Sequence, residues 1–559
     1  MVSRKQVKLV WPAVLCAAAI VITPTPGRTA SEADNRTPNS VRKFYADDPL
    51  PREPAARPVS GIAIRKVDHI YDFLNSSYVT PRREGKAAKH APQPALDVNT
   101  LGEVPDSSWY TNRHAFQRMS IADLQRGPGN ATPPSKKSAW VVVAAKSDGV
   151  TPGFVIEDGN KNRYVLKFDP PRSPEMCSAA DVIGSKFFYA LGYYTPENYV
   201  VHFRRENLEI GDGVMYRDPS GKKSPLTGHV VDGLLETQPM GPGGTYRALA
   251  SRWLEGEVVG PFSYHGTRSD DPNDTILHQD RRVLRGLAVF SAWLNHHDTS
   301  EINTMDTLVT ENGRQYLKHH LMDFGSILGS RGDGPKDPWI GHEHVIVRKK
   351  AVVQAVTLGV YVPRWQRSDY PKLKGVGLFD AWSFDPLEWI PEVPNSAFLM
   401  MDKVDAFWAA KQVAAFTDDE IRAVVKTGEL SDQRAADWIA ECLMQRRDKI
   451  AQAWFSKVLA LDRFRVADGI LAFDDLSASY GTGTPRSYDV HWSTYDNDHG
   501  VLTPLSNTSG TKLPPAPSAT EYLAATIQCA GDSGQSCPAP VIVYLRCSGT
   551  EFRVVGIDR

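Results

Sequence analysis

The stretch YLKHHLMDFG occupies residues 316–325, and it decides the fold that the sequence predicts. It begins as a strand-like run and delivers Asp323 into a turn that contains Phe324 and Gly325. A carboxylate at the end of a strand is a hard oxygen ligand of the kind that Mg²⁺ prefers. The glycine gives the loop that follows its conformational freedom. We therefore predict that Asp323 is a metal ligand.

A second stretch precedes it, where residues 293–303 read WLNHHDTSEIN. An apolar stripe from Val283 to Leu294 predicts a long helix that ends here, which leaves Asp298 and Asn303 in a loop, five residues apart. Phosphoryl transfer needs a carboxylate that positions the acceptor and oxygen ligands for the metal. We predict that Asp298 positions or deprotonates an acceptor hydroxyl and that Asn303 binds the metal.

Upstream of these stretches the pattern changes from helical stripes to short strands with turn signals between them. The order is three strands, one helix and two strands. A glycine-rich insert at 205–245 separates the last two strands. The predicted elements are strands at 140–145, 154–158 and 164–168, a helix at 179–191, and strands at 199–203 and 246–254.

Lys167 lies on the third predicted strand. A buried cation is costly unless it has a partner or a ligand, so we predict that this lysine binds the phosphates of a nucleotide. The helix that follows offers two carboxylates as partners. Asp181 lies inside the helical stripe and is preferred, whereas Glu175 precedes the helix and would also suit the positive end of its dipole.

The turn at 148–153 contains Gly149 and Gly153 and could cover the phosphates with its backbone amides. A plain hairpin explains the same two glycines equally well. The turn lacks the G-x-G-x-x-G pattern of ordinary protein kinases.

Taken together, Lys167, Asp298, Asn303 and the Asp323-Phe-Gly turn resemble the atypical kinases: the HipA-type, CotH-type, phosphoinositide and secretory-pathway kinases. The resemblance implies an α+β, two-lobed protein-kinase-like fold, with an antiparallel β small lobe and a helical large lobe. It also implies ATP and Mg²⁺ as cofactors, with Lys167 on the phosphates and Asn303 and Asp323 on the metal. The sequence departs from ordinary kinases in having His-His-Asp for His-Arg-Asp, in lacking Ala-Pro-Glu, and in offering Asp181 where a glutamate is usual.

The ends of the chain carry other signals. Basic residues 4, 5 and 8 precede an apolar run at 9–22 and small residues near 30, the form of a secretory signal peptide at 1–30; an uncleaved anchor is the alternative. No second apolar run is long enough to span a membrane. Near the other end, Cys529 and Cys537 would close a short loop as a disulfide if the chain is exported.

We divide the chain into a linker and N-terminal extension at 31–135, of which 31–60 is expected to be flexible. A small lobe at 136–260, a large lobe at 261–465 and a small C-terminal β-rich domain at 466–559 follow. The formal net charge of −1 gives no reason to expect a nucleic-acid partner.

The function predicted from the sequence is that of an exported, periplasmic or cell-envelope kinase, which transfers a phosphoryl group from Mg-ATP to a hydroxyl of a protein or sugar. The alternative is a catalytically inactive kinase fold that serves as a binding or scaffold protein. Export favours this alternative, because free ATP is scarce outside the bacterial cytoplasm. A carbohydrate-binding surface protein is a third hypothesis, based on the C-terminal strands.

Overall fold

The computed structural model describes residues 42–87, 93–129, 133–146, 153–217, 222–346, 349–357, 360–480, 487–515, 521–530, 537–549 and 551–559. Helices and strands are mixed along these ranges, so the predicted α+β class is confirmed. No helix within these ranges is long and apolar enough to cross a membrane. The signal-peptide prediction at 1–30 lies outside the described residues.

The strands are β1 (Trp140–Ala145), β2 (Gly153–Glu157), β3 (Arg163–Lys167), β4 (Asn198–Phe203), β5 (Leu208–Ile210), β6 (Met215–Arg217), β7 (Lys223–Pro225), β8 (Met240–Gly241), β9 (Thr245–Arg252), β10 (Glu257–Gly260), β11 (Thr304–Glu311), β12 (Arg314–Leu321), β13 (Leu461–Ala467), β14 (Ile470–Asp475), β15 (Tyr488–Asp496), β16 (Val501–Ser509), β17 (Tyr522–Cys529), β18 (Val541–Ser548) and β19 (Glu551–Asp558).

The α-helices are α1 (His69–Leu74), α2 (Thr80–Ala87), α3 (Ile121–Arg126), α4 (Met176–Ala190), α5 (Gly228–Glu236), α6 (Arg282–Leu294), α7 (Lys349–Val356), α8 (Ser396–Leu399), α9 (Lys403–Ala414), α10 (Asp418–Lys426), α11 (Gln433–Phe455) and α12 (Leu476–Ser479). A π-helical turn, Asn75–Val79, joins α1 to α2.

The first large sheet has the strand order β4-β9-β3-β2-β1-β5, with β8 paired onto β9. All its pairs are antiparallel except β1 with β5. The predicted succession of three strands, one helix and two strands is therefore present as β1–β3, α4, β4 and β9. The insert at 205–245 is an integral part of this sheet region. It supplies β5 and β8 to the sheet, and Val231 and Leu235 of α5 are buried against the sheet.

The helices α6, α9 and α11 enclose the main apolar core, which contains Trp293 and Trp408. The N-terminal extension contributes to this region: the carboxylate of Asp97 accepts hydrogen bonds from the backbone N–H groups of Arg282 and Val283. Free N–H groups at a helix start need such acceptors. The extension is therefore part of the folded body that carries α6.

The C-terminal strands form an antiparallel sheet in the order β16-β15-β17-β18-β19, beside the hairpin β13-β14. The predicted disulfide between Cys529 and Cys537 is present. The prediction that 31–60 is a flexible linker is wrong for the described residues of that segment. Phe44 is 1% exposed, and its ring lies within 6 Å of the rings of three tyrosines of this sheet, Tyr495, Tyr522 and Tyr544. Burying one aromatic ring outweighs the polar composition around it.

Candidate functional site

Lys167 ends β3 and lies between two carboxylates. Its Nζ is 3.0 Å from Asp323 Oδ1 and 3.4 Å from Asp181 Oδ2. Glu175, the other partner considered, points elsewhere: it pairs with Lys374 at 2.6 Å and accepts a hydrogen bond from the backbone N–H of Ser431. The structure thus brings Lys167, Asp181 and Asp323 together and leaves Glu175 out.

The charges of this triad depend on one another. Burial lowers the pKa of Lys167, but the two carboxylates outweigh it and hold the pKa above its ordinary value. Partial desolvation of the half-exposed Asp323 carboxylate raises its pKa, but the Lys167 ammonium more than offsets this effect and holds the pKa below its ordinary value. Burial raises the pKa of Asp181. Lys167 is therefore a permanent cation beside an ionised Asp323.

Asp181 also fixes the turn that follows β12. Its Oδ1 accepts a hydrogen bond of 2.9 Å from the backbone N–H of Phe324 and one of 3.2 Å from Asn198 Nδ2. The turn comes close to α4 because Gly184 has no side chain: a Cβ there would lie 2.7 Å from Phe324 Cβ. This close approach explains why the shorter aspartate reaches both the lysine and the turn.

An aromatic stack joins α4, the loop after α6 and the turn. The rings of Phe188 and Phe324 are stacked with centroids 5.0 Å apart, and the ring of His296 lies 5.6 Å from the first and 5.9 Å from the second. Burial lowers the pKa of His296 to about 3, so this imidazole is neutral at physiological pH. The stack therefore holds the three segments in register by packing and not by charge.

The loop that carries Asp298 and Asn303 starts where α6 ends, at Asn295, whose φ of 54° is left-handed. Asn303 Nδ2 donates to the backbone carbonyl of Asp298 at 2.8 Å, which leaves its Oδ1 able to serve as a ligand. The backbone carbonyl of Asn303 accepts from the N–H of Met322 at 2.8 Å. This bond places Asn303 beside the residue that precedes Asp323.

Asp298 itself accepts a hydrogen bond of 2.8 Å from Ser300 Oγ. Burial raises the pKa of its carboxyl group, although Ser300 opposes the shift. A carboxylate with a raised pKa is a better proton acceptor than an ordinary aspartate. The site therefore holds two carboxylates beside the lysine and a third, with a raised pKa, in the loop.

Of the two glycines predicted to cover the phosphates, Gly149 lies outside the described residues. Gly153 pairs with Lys167 in the β2–β3 register, and a Cβ there would lie 1.9 Å from the carbonyl oxygen of Leu166. Close approach of two strands accounts for this glycine.

Lys146 directly follows β1. Its charge also lowers the pKa of Asp323, a role that the sequence pattern did not indicate.

Arg446 is a second residue whose role the sequence analysis did not identify. It is buried and donates to the backbone carbonyls of Trp293 and Ala292, at 2.9 and 2.6 Å, in the last turn of α6. A cation there satisfies carbonyls that the helix leaves free. The spacing of Arg446 from the apolar Leu443 and Ile450 was a signal, because it places the arginine on the buried stripe of α11.

The donor set fits a divalent ion carried by a nucleotide. Asp323 and Asn303 offer hard oxygen atoms, and in the described part of the chain no group of three or more His, Cys, Asp and Glu side chains could hold a metal by itself. Mg²⁺ is usually bound by one or two carboxylates, with substrate phosphates and water completing its shell. A site that offers only a few protein ligands, and that places them beside the Lys167 cation, suits that mode of binding.

No protein-family model matches the chain, and no curated protein matches it. Two solved structures of the Golgi casein kinase are similar to it. The one with Mn/ADP bound is 11% identical, covers 72% of this chain and 94% of its own, and has a TM-score of 0.28. The other is 10% identical, covers 73% and 95%, and has the same TM-score. TM-scores and sequence identities this low support no statement on fold or function. The function proposed below is therefore argued from the geometry of the site.

Proposed function

We propose that the chain binds Mg-ATP at Lys167 and Asp323 and transfers the γ-phosphoryl group to a hydroxyl acceptor. The observation that supports this most directly is the triad in which Lys167 Nζ lies 3.0 Å from Asp323 and 3.4 Å from Asp181. In the proposed two-lobed arrangement, the sheet with β3 and helix α4 forms the small lobe. Helices α6 and α9–α11 belong to the large lobe.

Each polar group of the site has a separate task. Lys167 would contact the phosphates, while Asp181 holds the lysine and the turn at Phe324 in place. Asp323 and Asn303 would hold Mg²⁺, which when bound neutralises charge on the phosphates. Gly153, and Gly149 as the sequence predicts, would bring backbone amides over the phosphates.

Asp298 would orient the acceptor and take its proton. The acceptor oxygen forms a bond to the γ-phosphorus as the bond from that phosphorus to the bridging oxygen breaks, and ADP leaves with the electron pair. The hydroxyl proton passes to the Asp298 carboxylate, whose raised pKa favours that transfer.

Thermal unfolding with and without Mg-ATP tests the proposal. The wild type should be stabilised, and Asp323→Ala should lose the shift because it lacks the metal ligand. Asp298→Asn should keep the nucleotide shift and lose phosphoryl transfer, measured as ADP release or autophosphorylation. An unchanged melting temperature of the wild type in Mg-ATP would rule out the nucleotide site.

The same measurements separate catalysis from a scaffold role. A wild type that binds Mg-ATP but releases no ADP with any acceptor would be a binding protein with a kinase-like fold. We also propose that the chain is exported, on the basis of the basic and apolar pattern at 1–30. Fusing residues 1–30 to a reporter that is active only after export would test this, with the variant that replaces the basic residues 4, 5 and 8 as control.

A further inference from the structure

A polar cavity of about 80 Å³ lies beside the loop that carries Asp298. Four segments form its wall. One belongs to the N-terminal extension, and another consists of the residues directly after Asp298. A volume of this size holds several water molecules, and so one hydroxyl-bearing end of a ligand. The lining residues include Ser76, Thr80, Arg83, Thr299, Ser300 and Glu301.

The charged groups at the wall are engaged with one another. Arg83 pairs with Glu84 at 2.8 Å and donates to Ser396 Oγ at 3.0 Å. Glu84 also contacts His265 at 2.9 Å. Glu301 pairs with Arg65 and accepts a hydrogen bond from Ser263. Among the described residues that line the cavity, the wall therefore presents hydroxyl and amide groups, and its arginine is already paired.

One hydroxyl at the wall has no partner. Thr299 is 2% exposed, and within the described ranges its Oγ1 makes no hydrogen bond. Its backbone carbonyl is engaged by Asn395 Nδ2 at 3.2 Å, which holds the residue in place. Buried polar groups are nearly always hydrogen-bonded, so the Thr299 hydroxyl is able to accept a partner, either a water or a ligand group, at this wall.

The surroundings of the cavity are unfavourable for an acidic ligand. Asp72 of α1 is buried, and burial together with the charges of Glu301 and Asp298 raises its pKa to about 6, although Arg65 opposes the shift. Burial is the larger cause of this shift, and the carboxylates of Glu301 and Asp298 add to it, so a further negative charge beside them is unfavourable. A neutral ligand avoids that repulsion.

We propose that this cavity holds the acceptor of the phosphoryl transfer, and that the acceptor is a neutral polyhydroxy compound of the sugar or polyol class. The inference rests on the proposed function. Ser300 lines the cavity and its Oγ donates to Asp298 Oδ1 at 2.8 Å, so the Asp298 carboxylate would take the proton of a hydroxyl held beside Ser300. The N-terminal extension thus supplies part of the acceptor site through Ser76, Thr80 and Arg83.

Two variants and one control test the cavity. Ser76→Phe fills it from the π-helical turn, and Thr299→Val removes the orphan hydroxyl at nearly constant volume. Ser60→Phe, on an exposed position of the same extension, is the matched control. Glycerol, D-glucose, D-galactose and myo-inositol serve as probes, each alone. A serine peptide flanked by glutamates represents acidic acceptors.

The first readout is ADP release in Mg-ATP, and the second is ligand-observed NMR binding of each probe without nucleotide. We expect at least one neutral probe to bind and to stimulate ADP release. Ser76→Phe should abolish both effects while it keeps the Mg-ATP thermal shift. Thr299→Val should raise the acceptor KM about tenfold, the loss expected for one hydrogen bond, without lowering the melting temperature. Ser60→Phe should behave as the wild type.

Stimulation by the acidic peptide alone, or an unchanged acceptor KM in both cavity variants, would overturn the inference. So would the absence of binding by every neutral probe in a protein that still shows the Mg-ATP shift. A protein that binds a neutral probe in the cavity but shows no Mg-ATP shift would contradict the proposed function and retain the cavity as a polyol site.

Discussion

The Oδ1 atom of Asp181 accepts a hydrogen bond of 2.9 Å from the backbone N–H of Phe324, while Oδ2 of the same carboxylate lies 3.4 Å from Lys167 Nζ. One side chain on α4 thus connects the strand that carries the lysine to the turn that carries Asp323. Any change that moves α4 relative to this turn is expected to alter the position of the cation and the metal ligand together.

Replacing Asp181 by Leu should lower the free energy of unfolding by about 3–5 kcal/mol, because it leaves a buried cation short of a partner. The Mg-ATP thermal shift should also disappear. Glu175→Gln is the control, since Glu175 contacts Lys374 and Ser431 instead of Lys167. Chemical denaturation and thermal shifts measure both effects; equal loss of nucleotide binding in the two variants would contradict the assignment of Asp181.

Gly184→Ala should destabilise the protein by about 1–3 kcal/mol, the usual cost of overpacking, and weaken the Mg-ATP shift. The added Cβ would lie 2.5 Å from Ile327 Cδ1 and 2.7 Å from Phe324 Cβ, so the turn must move away from Asp181.

Gly233→Ala in α5 is the matched control, because no atom lies within 4 Å of its added Cβ. It should raise the free energy of unfolding by about 0.5–1 kcal/mol, the helix preference for alanine. If Gly184→Ala were as well tolerated as this control, the close approach of α4 to the turn would not govern the site.

His296 should make the stability depend on pH. Burial lowers its pKa from 6.5 to about 3, so between these values the unfolded chain binds the proton and the folded chain does not. The free energy of unfolding should therefore fall as the pH is lowered from 6.5 towards 3.

His296→Phe keeps an aromatic ring in the stack and removes the titration. Denaturation at a series of pH values should show a slope shallower by up to about 1.4 kcal/mol per pH unit than that of the wild type. The exposed His69→Phe is the control and should keep the wild-type slope. Parallel curves for wild type and His296→Phe would show that this imidazole does not titrate on unfolding.

Phe44→Ala should lower the free energy of unfolding by about 3–5 kcal/mol, as expected for emptying a fully buried aromatic site. Its neighbour Tyr45→Ala, whose side chain is 51% exposed, should change it by less than about 1 kcal/mol. Denaturant titrations of the two variants make the comparison, and similar values would mean that the segment is not held by its aromatic ring.

Much of the candidate site could be predicted because its signals are local. Asp298, Asn303 and Asp323 sit at element ends, where a few residues of sequence specify helix, loop and turn. Lys167 was recognisable because a charge in an apolar strand needs a partner. The strands around it were placed within two residues of their observed bounds.

The remaining features depend on contacts between distant segments. In the sequence pattern Gly184 is an ordinary helix position, and only the fold brings Phe324 against it. Likewise, nothing near Phe44 in the sequence indicates the three tyrosines that enclose it. The choice between Asp181 and Glu175 likewise depended on where Lys374 and Ser431 lie in space. Spacing alone cannot supply such pairings, because they join residues that the chain brings together only on folding.

The burial of Phe44 has a consequence for how the chain acquires its structure. Its backbone N–H donates to Asn497 Oδ1 at 2.9 Å, and the two residues are 453 positions apart in the sequence. A contact of that span closes slowly, since the intervening chain must first be ordered. During synthesis the N-terminal segment has no docking site until the last strands have left the ribosome. The segment is therefore expected to be the last to become resistant to protease, and pulse-labelled chains arrested before residue 488 should remain cleavable at 42–60.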